Sequence, residues 1–121
     1  MKLDRFPETI AVVKLGPGAE VPAWAESSSV FAIIATATET TLLCAARSVP
    51  TKSEHERPFT AFLLDGRVVE LGVLPEGARV ISAFDRDWVL VKEADAAEEE
   101  WRRSGHEIAR AVPVKPKRKN R

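Results

Sequence analysis

The stretch ISAFDRDWVLVK, Ile81–Lys92, sets Asp85, Arg86 and Asp87 in a row between two apolar runs. The flanking residues 78–84 (ARVISAF) and 88–91 (WVLV) are rich in β-branched and aromatic side chains, so they read as a strand pair closed by a turn at the three charges. Such a turn is ordinarily the solvated end of a hairpin. Its chemical reading is that Asp85 and Asp87, the latter next to Trp88, face a pocket edge and pair with a cationic group such as a ligand's ammonium or guanidinium.

Outward from this stretch the chain alternates short apolar runs with Gly, Pro and polar breaks. Residues 9–15 (TIAVVKL) read as a strand stopped by Gly16-Pro17-Gly18. Residues 21–27 (VPAWAES) suit one or two helical turns with Pro22 at the start and Trp24 as the anchor into the core. Residues 30–36 (VFAIIAT) and 40–45 (TTLLCA) form an expected antiparallel pair across a short polar segment. Residues 51–57 (TKSEHER), between Pro50 and Pro58, are polar and aperiodic and mark the internal boundary. Next, 59–64 (FTAFLL) and 67–71 (RVVEL) flank Asp65-Gly66, a hairpin signal because the tight turn needs positive φ. Residues 74–79 (LPEGAR) hold a Pro and a Gly and exclude a helix of ordinary length.

The expected helix spans residues 93–104 (EADAAEEEWRRS). Ala94, Ala97 and Trp101 share one face, acids crowd the start, Arg102 and Arg103 the end, and Gly105 supplies a cap. Glu98 with Arg102 and Glu99 with Arg103 read as i,i+4 surface pairs. Residues 107–112 form a last edge strand, and from Pro113 onward the chain alternates Pro with cations and reads as disordered.

The 121 residues are 45% hydrophobic, enough for one core or for two small subdomains sharing a sheet. The 18 basic and 18 acidic side chains cancel, but Lys115, Lys117, Arg118, Lys119 and Arg121 follow Pro113, leaving 13 basic against 18 acidic groups, a net −5, on the body. An acidic body repels phosphate backbones, and the tail has no aromatic residue to stack a base, so nucleic acid is not an expected partner. A single cysteine excludes an internal disulfide and fits a reducing compartment, so a cytoplasmic location is expected. No apolar run approaches the roughly 18 residues of a membrane helix, and MKLDRFPET lacks a signal-peptide core.

Catalytic chemistry has no motif behind it. Cys44 lies inside TLLCAA without basic neighbours to stabilise a thiolate, and reads as a small buried hydrophobe. His55 sits between Glu54 and Glu56 as a solvated residue, and His106 follows the helix-ending glycine. Neither the histidines nor the scattered carboxylates have metal-ligand spacing. Gly16-Pro17-Gly18 offers a proline where a phosphate loop needs an N–H donor. No catalytic residue, metal or cofactor is therefore expected.

Taken together the motifs resemble those of small bacterial tandem ACT-domain proteins, which are similar to the ACT-repeat arginine sensors. Ser82, Phe84, Asp85, Asp87, Val89, Leu90, Val91 and Lys92 match the family pattern S-T-[FY]-D-T-D-[YF]-[VIL]-L-V-K, with Trp88 as an aromatic substitute. Val21-Pro22-Ala23-Trp24-Ala25 resembles L-P-x-W-A, Thr36, Glu39, Thr41 and Cys44 resemble T-x-x-E-x-S-x-x-C, and Val49-Pro50 closes that module. The resemblance covers almost all of residues 9–108.

It implies an α+β, ferredoxin-like, ACT-type antiparallel sheet with few helices. The expected organisation is a first module at residues 1–50, a linker at 51–58, a shortened second module at 59–112 and a basic tail at 113–121. It further implies a non-catalytic regulatory or sensor protein, homodimeric, that binds an amino acid or related small molecule. In the arginine-sensing relatives the residues corresponding to Asp87 and Phe84 contact the ligand, and Gly72, Val73, Leu74, Ser82, Asp85, Thr36 and Glu39 would stand near it. Two departures weigh against that site. Ala83 replaces a threonine hydroxyl, and Gly72-Val73-Leu74 runs straight into PEGARVI where the family has a long helix. A sheet face without its cover exposes apolar area at roughly 25 cal/mol per Å², which a second copy of the chain or a repacked Trp24 segment would offset. The alternative expectation is an ACT-derived interaction module that has lost its ligand site.

Overall fold

The computed structural model describes residues 1–25, 30 and 32–112, and shows an α+β protein built mostly of antiparallel sheet with one α-helix. The strands are β1 (Lys2–Leu15), β2 (Ala32–Ala35), β3 (Thr40–Ala45), β4 (His55–Leu64), β5 (Arg79–Ser82), β6 (Asp87–Val91) and β7 (Glu107–Arg110), and the helix is α1 (Ala94–Arg103). The chain divides into two compact units. The first comprises Met1–Glu8 and Phe59–Val112, the second Thr9–Pro58.

In the second unit β2 pairs with β3 and β3 with β1, both antiparallel, in registers such as Ile33↔Leu42 and Val13↔Leu42. Ala11, Val13, Leu42 and Cys44 point to one side, where they pack with Ala25, Ala46 and Val49. Residues 23–25 form only a single 3-10 turn. Its fully buried residue is Ala25, while Trp24 is half-buried and packs against the cluster from outside. The helix expected at 21–27 is thus a turn over its described part. Residues 26–29 and 31 lie outside the described residues, as does the basic tail.

In the first unit β1 neighbours β4, β4 pairs antiparallel with β6, β6 pairs antiparallel with β5, and β7 lies parallel beside the start of β1. The strand expected at residue 9 therefore begins at Lys2, and it runs through Pro7. Pro7 has no N–H to donate, and it falls between the residues that pair with β7 (Lys2 to Arg5) and those that pair with β3 (Ile10 to Leu15), so neither of these two ladders asks it for a donor.

β4 likewise starts four residues earlier than the apolar pattern suggests, at His55 rather than Phe59. Its partner is β6, with Thr60↔Val91 and Leu63↔Trp88, and not residues 67–71. The Asp65-Gly66 hairpin does not form. Gly66 is outside the positive-φ region that a tight primed turn requires, and residues 68–70 wind into a 3-10 turn that drops Leu71 into the core. Tertiary pairing overrides the local turn signal here because β6 offers β4 the unbroken apolar run WVLV, where RVVEL is interrupted by Glu70.

The core of this unit gathers Phe62 and Leu64 of β4, Val89 and Val91 of β6, Leu3, Leu71 and Ile108 beneath Ala94, Ala97 and Trp101 of α1. Phe62 meets Trp101 edge-on, ring centroids 5.0 Å apart at 82°. Val68, Leu74 and Ala78 pack against the same cluster, so the short segment after β4 supplies part of its cover. α1 ends in a Schellman arrangement: the His106 N–H donates to the Trp101 carbonyl and the Gly105 N–H to the Arg102 carbonyl, with Gly105 at φ 98°. β7 follows at once. No helix among the described residues is long and apolar enough to cross a membrane.

Trp101 is the largest side chain in this core and Phe84 is almost wholly exposed. Trp101→Ala is expected to lower unfolding free energy in urea by about 3–5 kcal/mol, and Phe84→Ala by no more than about 0.5 kcal/mol. Equal effects in the two variants would contradict this packing.

Candidate functional site

Asp87 is not in the turn. It is the first residue of β6, opposite Ser82 of β5, and the turn consists of residues 83–86, closed by the Ala83 N–H donating to the Arg86 carbonyl at 2.8 Å. The side chain of Asp87 is 3% exposed, which for a carboxylate demands partners. It has them within its own unit. The Val68 N–H donates to Oδ2 at 2.8 Å, and the Arg67 guanidinium donates to Oδ1 at 3.1 Å. The Asp87 N–H in turn donates to the Gly66 carbonyl at 3.0 Å.

Arg67 completes the arrangement. Its Nη1 also donates to the Ala83 carbonyl at 3.0 Å and its Nη2 to the Phe84 carbonyl at 2.7 Å. One carboxylate and two turn carbonyls thus surround a guanidinium, the group suited to such forked donation. Where a ligand's cation was expected at Asp87, the chain's own Arg67 stands. The Val68 N–H, with Ser82 and Arg67 adding to it, holds the Asp87 carboxyl below the ordinary carboxylate range against the opposing effect of burial.

The other expected site residues scatter. Phe84 is 98% exposed at the tip of the turn, and its carbonyl rather than its ring faces the guanidinium. Asp85 is exposed beside Arg86 at 3.7 Å. Gly72 and Val73 are exposed, and Leu74 packs on the core. Thr36 and Glu39 lie in the second unit, where they build the β2–β3 turn: Thr36 Oγ1 accepts the Glu39 N–H at 3.1 Å, and Glu39 Oε2 accepts the Thr41 hydroxyl at 3.1 Å. Of the expected set the structure brings together Asp87 and Ser82 around the Phe84 backbone. Arg67 was missed. Its one signal is its position after Asp65-Gly66, which read as a strand start.

Glu98 was also missed as a buried group. It is 8% exposed and accepts from Arg5 (2.8 Å), Arg102 (2.9 Å) and Arg110 (2.7 Å), joining β1, α1 and β7. Burial pushes its carboxyl up, but the bonds from Arg110, Arg5 and Arg102 prevail and hold it at about 2. Cys44 is buried in β3, the His55 ring meets the Ser53 carbonyl at 2.6 Å, and His106 Nδ1 lies 3.2 Å from the Met1 amino nitrogen, so these groups do not converge. Among the described residues no group of His, Cys, Asp or Glu is arranged to hold a metal ion.

No family model and no curated protein matches the chain. Seven chains of solved structures do. One is the crystal structure of protein Atu0741 from Agobacterium tumefaciens, a structural-genomics target, with a TM-score of 0.79 at 20% identity over 92% of this chain and 93% of that one. The two share a fold.

The Glu98 cluster makes a pH prediction. Its carboxyl lies below its ordinary 4.5 when folded, so its stabilisation is complete above that value and is lost as pH falls towards about 2. The gap corresponds to a contribution on the order of 3 kcal/mol. Thermal unfolding between pH 5 and 2 is expected to fall more steeply in the wild type than in Glu98→Gln; parallel curves would contradict it.

Proposed function

We propose that this protein is a non-catalytic ACT-type interaction module, homo-oligomeric, in which the ligand-side aspartate has been taken over by the chain's own Arg67. The observation that carries this reading is the closed set of bonds around Asp87: its oxygens bind the Val68 N–H and the Arg67 guanidinium, leaving the carboxylate 3% exposed. The motif resemblance around Phe84 to Lys92 and the α+β antiparallel sheet support the ACT assignment, and the missing helix after Leu74 supports a lost ligand site. The exposed apolar side chains Phe84, at 98%, and Val69, at 82%, support association.

A free amino acid would have to displace a guanidinium already held by three acceptors, which removes its differential affinity. Thermal shift with L-arginine and the other amino acids at millimolar concentration is therefore expected to show no rise that depends on Asp87. A rise with the wild type that disappears in Asp87→Ala would restore the sensor reading, in which a ligand replaces Arg67. Sedimentation velocity is expected to show a dimer or larger assembly, shifted towards monomer in Val69→Ser/Phe84→Ser; a monodisperse wild-type monomer would refute the association.

A further inference from the structure

A second concavity lies in the first unit, away from Asp87. The segment carrying Leu74 and Pro75 stands beside α1, and between them is a cleft of about 430 Å³ whose floor includes Ala97 and Trp101. Glu93 and Glu100 stand in its lining. The volume is in the range of small-molecule sites, which are apolar with a few placed polar groups. The apolar floor has a physical origin: Ala97 is the small residue on the buried face of α1, and it leaves space that Leu74 and Pro75 wall in without filling.

The two carboxylates differ. They are separated by seven residues, so they lie on one side of α1 roughly 10 Å apart along its axis. Glu100 is held by Arg103 at 2.6 Å. Glu93 immediately precedes α1, its side chain makes no capping bond to the helix, and among the described residues it has no ion pair. A charge on a partly apolar rim that its own chain leaves uncompensated attracts a cation whose body can cover the adjoining floor.

We infer that the cleft between α1 and the Leu74–Pro75 segment is a binding site for a small primary amine with an apolar body, the ammonium on Glu93 and the body over Ala97 and Trp101. An anion of the same shape is rejected by Glu93 and Glu100 together. The inference does not rest on the reading of Asp87, since none of its residues touches that carboxylate.

The test is a titration of the full chain with 2-phenylethylamine, followed by backbone amide chemical shifts, with 3-phenylpropionate as the shape-matched anion. The amine is expected to move the amides of residues 72–75 and 93–101 saturably, and the anion to leave them in place. Glu93→Gln, at an exposed position, is expected to weaken the amine roughly tenfold or more, as loss of a charged hydrogen-bond partner does. Ala96→Phe, which fills the lining from an exposed helix position, is expected to abolish the shifts while the α1 amides keep their folded pattern. Equal shifts from the anion, undiminished affinity in Glu93→Gln, or no saturable shift at millimolar amine would each overturn the proposal.

Discussion

The carboxylate of Asp87 is the constraint around which the first unit is arranged. At the first residue of β6, it must be satisfied where water does not reach, and the chain satisfies it by bending residues 65–71 back over the strand end. The Val68 N–H supplies one bond. Arg67 supplies another and, through the Ala83 and Phe84 carbonyls, fixes the β5–β6 turn as well. Leu71 then falls into the core and Leu74 packs against it. Without the carboxylate, the segment after β4 would have no polar reason to leave a hairpin path, and the core would lose part of its cover.

Glu98 performs the corresponding task where β1, α1 and β7 meet. Three arginines from β1, α1 and β7 converge on one buried carboxylate, so that the parallel β1–β7 pairing and the helix are joined by charge-assisted bonds as well as by Trp101 and Ile108 packing. Breaking one partner of such a buried group leaves the rest uncompensated. Both acids therefore act within the fold.

How much of this the sequence disclosed depends on the range of the interaction. Local signals were legible. Residues 40–45 form β3 as the apolar run predicts, α1 follows the spacing of Ala94, Ala97 and Trp101, and Gly105 ends it with positive φ. Signals that tertiary partners override were not. Asp65-Gly66 looks like a hairpin turn only until β6 takes the edge of β4, and the strand expected at residue 9 starts at Lys2 because residues 2–5 pair with β7 from the far end of the sequence. Of the candidate site, Asp87 read as a carboxylate for a ligand's ammonium or guanidinium, and nothing local in the sequence says that the chain supplies the cation itself. Arg67 is twenty positions away, and only the folded chain brings it to the carboxylate.

The most direct measurement of this account is hydrogen exchange at the Val68 backbone amide, which sits in a short exposed-looking turn and owes its protection to one side-chain acceptor. The account predicts that the Val68 amide exchanges slowly in the wild type and rapidly in Asp87→Ala, while the Leu90 amide in the middle of β6 stays protected in both. A Val68 amide that exchanges at a free-loop rate in the wild type would contradict it, because the Asp87 carboxylate would then be open to an external cation.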